Sequence, residues 1–139
     1  MVKNKKQKGT YAERELTKML WERGFACVRA AGSGSGPLPS PDVVASNGKT
    51  TLAFECKFFA SDYLHLDHSQ IAQLVEFAQK FKADPWIAVR YAGKKWAFLD
   101  IARIRRTPGE NFKVSKDFAY DDGHTFDELL ERYEKLAAL

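Results

Sequence analysis

The stretch that most constrains this chain runs from Asp42 to Lys57, because it reads as two short strands joined by a tight turn. Val43, Val44 and Ala45 make one apolar run, and Thr51, Leu52, Ala53 and Phe54 make another. Between them lies Ser46-Asn47-Gly48-Lys49. Asn-Gly readily adopts the left-handed backbone that a two-residue hairpin turn requires. With Asn47 and Gly48 at the turn centre, Ser46 faces Lys49, Val44 faces Thr51 and Asp42 faces Ala53. Side chains two apart share a sheet face, so Asp42, Ala53, Glu55 and Lys57 point one way. Phe54, Cys56 and Phe58 point the other way, into a core. Glu55 is then the diagonal neighbour of Asp42, roughly 7–8 Å away.

Two acids and an amine on one face at a strand end suit phosphodiester chemistry. Mg²⁺ takes oxygen ligands, keeps several waters, and is held by one or two carboxylates together with phosphate oxygens. In such a site it polarises the phosphodiester and lowers the pKa of an attacking water. Lys57 can orient that water or neutralise the charge that develops. An exposed face whose charges are merely solvated explains the same three residues, so the rest of the chain must decide.

With 139 residues the chain suffices for one domain around one core. The net charge of +4 favours a polyanionic partner without establishing one. No run is long and apolar enough to span a membrane, and no apolar segment follows the lysines near Met1 as a signal peptide would require. A cytoplasmic location is expected. Cys27 and Cys56 fall inside apolar strand patterns and are expected to be buried, reduced thiols.

Lys3, Lys5, Lys6 and Lys8 form a basic arm over residues 1–9, either a solubilising terminus or a flexible segment that lies along phosphates. Thr10 followed by Glu13 has the pattern of a capping box, which predicts a helix from Thr10 to about Arg23, ended by Gly24. Its buried stripe is Ala12, Leu16, Met19 and Leu20. Glu13 borders that stripe, where it can cap the helix or turn towards Asp42 and Glu55. Phe25 to Ala30 alternates as a strand. The Gly/Ser run from Ala31 to Gly36, followed by Pro37, Pro39 and Pro41, is a surface loop that must sit beside Asp42. Ser33 or Ser35 could there donate to a phosphate, or the segment is a plain linker.

Phe58 to Tyr63 reads as a loop. His65 and His68 have no further His or Cys to complete a metal set, and surface or capping roles fit them better. Asp67 and Gln70 open a second helix, predicted to end near Phe81. Ile71, Leu74, Val75 and Ala78 form its first apolar stripe, and Leu74, Phe77 and Phe81 widen it onto a second flank. That width points to a subunit interface or to a broad core-facing helix. Gln70 and Gln73 lie near the helix start, where an amide could reach the acidic face. Pro85–Tyr91 and Lys94–Asp100 read as a strand pair, with Trp96 and Phe98 in the core rather than stacking on bases. Arg103, Arg105 and Arg106 form a basic cluster, solvated or phosphate-facing. From Thr107 to Gly123 only a short strand near Phe112–Val114 is assigned. Thr125 with Glu128 caps a last helix lined by Phe126, Leu129, Leu130, Tyr133, Leu136 and Ala137.

Taken in order, Lys8-Gly9-Thr10-Tyr11-Ala12-Glu13-Arg14-Glu15-Leu16, the segment Gly24 to Ser33, Pro41-Asp42, Glu55-Cys56-Lys57 and Val75-Glu76-Phe77-Ala78 form a pattern. It resembles the archaeal Holliday junction resolvases, within the PD-(D/E)xK nuclease superfamily. The resemblance implies a single α/β domain with a restriction-endonuclease-like mixed central sheet flanked by helices. It also implies a structure-specific endonuclease that resolves four-way (Holliday) DNA junctions in recombination and repair. Such an enzyme hydrolyses phosphodiesters with Mg²⁺, Mn²⁺ being expected to substitute, and nicks symmetric strands as a homodimer. Glu13, Asp42 and Glu55 would be the acidic metal group, Lys57 the positioning amine, and Ser33 a loop serine tied to cleavage. Arg14 and Arg29 would contact DNA or support the site, joined in DNA binding by Lys5, Lys6, Lys8 and Gln70. Leu74, Phe77 and Phe81 would form the dimer face.

The linker from Ser33 to Asp42 departs from some relatives in having no lysine or arginine. Two alternatives stay open: a nuclease of the same fold acting on another DNA structure, and a non-catalytic module that binds branched DNA. The joint presence of Glu13, Asp42, Glu55 and Lys57 argues against the second. Whether a sliding clamp is an accessory partner is left undetermined.

Overall fold

Alternating apolar residues sort to the two faces of a five-stranded sheet, and each face is then covered by helices. The computed structural model describes residues 5–30, 38–104 and 111–137. In order, the elements are α1 (Lys5–Glu22), β1 (Ala26–Arg29), β2 (Val43–Ser46), β3 (Thr51–Phe59), β4 (Tyr63–Asp67) and α2 (His68–Phe81). They continue as β5 (Asp84–Tyr91), β6 (Trp96–Asp100), α3 (Ile101–Ile104), β7 (Asn111–Ser115), α4 (Lys116–Asp122) and α5 (Phe126–Ala137). The sheet order is β1-β2-β3-β5-β6, and β4 pairs with β7 in a separate ribbon. Only the β3–β5 pairing within the sheet is parallel, so the sheet is mixed, as expected.

Leu52, Phe54, Trp86 and Phe98 form one side of the sheet and pack against Ala12, Leu16 and Leu20 of α1 and Leu129, Leu130 and Tyr133 of α5. Ala53, Ile87, Val89 and Leu99 form the other side, covered by Ile71, Leu74 and Ala78 of α2 and by Leu64, Leu66, Phe112 and Val114 of the ribbon. Trp96 and Phe98 are buried, as their apolar setting predicted.

The hairpin between β2 and β3 differs from expectation. Ser46 pairs with Thr51 and Val44 with Ala53, so four residues rather than two make the loop. The Asn47 side chain decides this: its Oδ1 accepts from the backbone N–H of Lys49 (2.9 Å) and of Thr50 (2.7 Å). An Asx turn of this kind competes with the two-residue alternative. Because the register moves by two residues, each side chain keeps its face. A shift of one would have inverted them.

Helix α1 starts at Lys5, so Thr10 lies inside it instead of capping it. Gly9 also lies within the helix, at a position where a Cβ would meet nothing within 4 Å. There the glycine costs about 1 kcal/mol of helix propensity without disturbing packing. The loop expected over Phe58–Tyr63 shrinks to residues 60–62, because β3 runs through Phe59 and Tyr63–Asp67 forms strand β4. Helix α2 matches its predicted bounds: the Asp67 side chain accepts from Ser69 N–H, and Lys82 closes the helix in the left-handed region (φ 59°). At α5 the expected capping box forms, with Thr125 N–H donating to Glu128 and Glu128 N–H to Thr125. Cys27 and Cys56 are free thiols, partly buried, and burial pushes both thiols up from their ordinary value.

Candidate active site

Asp42 stands just before β2, where the chain is anchored on both sides. Its N–H donates to Phe54 O (2.9 Å), and its own carbonyl accepts from Ala30 N–H (2.8 Å). Its carboxylate accepts from Cys56 N–H at 2.8 Å, which draws Asp42 Oδ2 onto the backbone of β3 beside Glu55. Among the described residues Asp42 is the one buried charged side chain. Burying a carboxylate is costly unless it is hydrogen-bonded, and the Cys56 amide supplies part of that compensation.

Glu55 lies on the same face, since Ala53, Ile87 and Val89, which flank Glu55 and Lys57 along and across the strands, all belong to the core under α2. Its pKa is raised to about 8, first by burial and then by the charge of Asp42; Lys57 opposes the shift, while a hydrogen bond with Asp42 and the charge of Glu13 add to it. Glu13 is likewise raised, chiefly by burial and then by Asp42, with Arg29 acting against both. The three acids therefore influence one another electrostatically. Their side chains do not yet close on one point. Glu13 Oε1 lies 3.3 Å from Arg29 Nη1, and Glu55 Oε1 lies 3.8 Å from Lys57 Nζ. Among the described residues no three His, Cys, Asp or Glu side chains form a ready ligand set. The donors still suit a hard cation: they are carboxylate oxygens, two of them in contact and mutually repelling when ionised.

Lys57 Nζ donates to Gln70 Oε1 at 3.0 Å. Gln70, expected as a DNA contact, thus holds the amine from the first turn of α2. Arg29 sits at the end of β1 and supports Glu13. Arg14 and Lys8 are exposed on α1; Lys5 and Lys6 occupy its first turn. Ser33, Arg105 and Arg106 lie outside the described residues. His65 and His68 are both exposed, and His68 stacks on Phe112 with ring centroids 6.0 Å apart.

The expected dimer face divides. Leu74 is 2% exposed and belongs to the core under the sheet, so it is not a surface residue. It shares a helical stripe with Ile71 and Ala78, the residues that face the sheet. Phe81 is 53% exposed and stacks on Phe77 at 5.1 Å. These two rings, with Leu38 and Pro39, line a groove of about 260 Å³.

Sequence reasoning missed a second pair beneath the site. Glu15 accepts from Trp96 Nε1 (2.8 Å) and lies 3.3 Å from Arg90 Nε, joining α1 to β5 and β6. The one signal was that Glu15 borders the buried stripe of α1.

Residues 4–138 match the model of the family described as archaeal Holliday junction resolvase (Hjc). The crossover junction endodeoxyribonuclease Hjc of Archaeoglobus fulgidus is 44% identical over 111 residues, 80% of this chain and 81% of that protein. The Hjc of Methanocaldococcus jannaschii is 31% identical over 115 residues, 83% of this chain and 81% of the relative. The solved structure of A. fulgidus Hjc, a Holliday junction resolvase from an archaeal hyperthermophile, superposes with a TM-score of 0.80 at 39% identity. The superposition covers 88% of this chain and 98% of that one.

Proposed function

Because the chain belongs to the archaeal Holliday junction resolvase family, we propose that it is a structure-specific endonuclease that nicks four-way DNA junctions. The observation that carries the reading is the contact of Asp42 with Glu55 on the sheet face that also presents Lys57. A carboxyl pair that resists double ionisation is a weak structural asset but a strong cation site.

Mg²⁺, or Mn²⁺ in its place, would be held by Asp42 and Glu55 and would supply Lewis acidity at the phosphodiester and a more acidic water. Glu13, whose carboxylate lies against Arg29, would be the third residue to hold the ion. Asp42 is oriented by the Cys56 amide, so its donor atom is positioned before any substrate arrives. Lys57, steadied by Gln70, places a positive charge beside the reacting phosphate. Arg14, Arg29 and the lysines at the start of α1 bind backbone phosphates, and Ser33 adds a hydroxyl from the neighbouring loop. The half-buried Phe77 and the exposed Phe81 pack against a second copy, so that two sites related by a twofold axis nick opposing strands of the junction.

A cleavage panel of four-way junction, flap and linear duplex, each with and without Mg²⁺, tests the reading. Metal-dependent nicking confined to the junction is expected. Preferential cutting of flap or linear duplex would move the protein to another substrate. A DNA substrate supports a cytoplasmic site of action; among the described residues no helix is long and apolar enough to cross a membrane.

A further inference from the structure

Beyond the catalytic carboxylates, one end of the molecule carries three tyrosines, each covered by a lysine. Lys113 Nζ lies 4.1 Å from the ring centroid of Tyr63, Lys116 Nζ 4.5 Å from Tyr91, and Lys94 Nζ 5.0 Å from Tyr120. Two of the rings are tied to their surroundings. Tyr120 Oη donates to Lys95 O (2.6 Å) and accepts from Tyr91 N–H (2.9 Å), and Tyr91 packs edge-on against Phe59 at 5.1 Å. Tyr63 pairs with Ser115 in the ribbon, one residue before Lys116 opens α4. The ribbon packs its inner side chains on the same sheet face that bears Glu55 and Lys57.

No carboxylate among the described residues pairs with these three lysines. Asp117 and Asp121 each lie one position along α4 from Lys116 and Tyr120, about 100° round the helix, and so on the next face. An ammonium held over an aromatic ring is positioned before any ligand arrives, while its side turned away from the ring stays open to an anion. Three such charges on a surface fixed by hydrogen bonds form a prearranged cationic strip. Its distance from the acidic site follows from β3. Tyr91 pairs with Phe59, four residues beyond Glu55 on that strand, or about 13 Å at the usual rise. One turn of B-DNA spans about 34 Å. The strip is therefore within reach of the duplex whose phosphate occupies the carboxylate site.

We infer that Lys94, Lys113 and Lys116 form a second DNA contact, which grips backbone phosphates of the duplex flanking the scissile position. The inference rests on the junction-cutting reading above and adds a surface apart from the carboxylate site.

The test is junction binding as a function of salt, comparing the parent chain with the combined variant Lys94→Gln, Lys113→Gln and Lys116→Gln. Glutamine keeps a polar side chain at each position and removes the charge. Each lost phosphate contact lowers the slope of log affinity against log salt by about 0.9, so a reduction approaching ~2.7 is expected. Cutting of fully bound junction should stay within about twofold, since none of the three side chains touches the carboxylate site, and arginine at all three positions should restore the slope. If the combined variant melts early, Lys113→Gln alone, at an exposed strand position, should still lower the slope by about one. An unaltered slope and affinity in the glutamine variant, with the parent binding normally, would overturn this proposal alone. Failure of the parent to bind junctions at all would overturn the underlying reading, and the strip with it.

Discussion

Lys57 on β3 and Gln70 in the first turn of α2 are joined by a 3.0 Å hydrogen bond. Without it, a flexible four-carbon side chain would be held near Glu55 only by a longer ion pair of 3.8 Å. The amide thus trades rotamer freedom for a fixed position of the amine before substrate binds. Gln70→Ala should lower the cutting rate of bound junction by about ten- to a hundred-fold while changing junction affinity little. Single-turnover cleavage alongside a binding titration separates the two effects. A loss of affinity with unchanged turnover would make Gln70 a DNA contact instead.

Glu55 gives the metal-free protein a pH-dependent stability. Its folded pKa of about 8 lies above the ordinary 4.5, so folding favours the protonated form. The cost is absent below pH 4.5, grows between pH 4.5 and 8 as the unfolded chain ionises while folded Glu55 keeps its proton, and is complete above pH 8. It amounts to about a few kcal/mol. Glu55→Gln should therefore raise the melting temperature of the metal-free protein at pH 8 and leave it nearly unchanged at pH 4.5. Thermal unfolding at the two pH values in a chelating buffer measures this.

Metal binding is linked to the same proton. A dication between Asp42 and Glu55 favours the ionised pair, so its binding must release a proton wherever Glu55 is still protonated. Calorimetric titration with Mg²⁺ should give tighter binding at pH 8 than at pH 6, with proton release at the lower pH detected by changing buffer ionisation enthalpy. Equal affinity and no proton release would mean that the ion binds elsewhere.

Phe77 and Leu74 should behave differently although they are neighbours on one helix. Phe77→Glu places a charge at the edge of the core, in the stack with exposed Phe81, and should yield folded monomers in sedimentation. Leu74→Ala removes a buried side chain and should cost about 2–5 kcal/mol of stability without changing the assembly. A dimeric Phe77→Glu variant would place the interface on another surface.

The shared face of Asp42, Glu55 and Lys57 was legible because strand parity survives a register shift of two, even though the turn itself was longer than Asn-Gly predicted. What the local pattern could not reveal was the competition settled by a side chain, as at Asn47, or by distant packing. Gly9 and Thr10 read as a helix boundary, yet α1 continues through them. The β4–β7 ribbon pairs Tyr63 with Ser115, residues too far apart in sequence for either strand to announce its partner. On α2 the periodicity showed two apolar flanks, but only the position of the sheet reveals that Leu74 faces inward while Phe81 faces solvent. Glu13 was recognised at the edge of the site, and its pairing with Arg29 emerged only once β1 lay beside α1.

The most direct measurement is incubation of an immobile synthetic four-way junction with the parent chain, with Asp42→Asn and with Glu55→Gln, in Mg²⁺, the products being read at nucleotide resolution. The parent is predicted to leave nicks at symmetry-related positions on opposing strands, while both variants bind the junction and leave it intact. Nicking of the junction by either variant at the parent's rate would contradict the assignment of these two carboxylates as the centre of the chemistry.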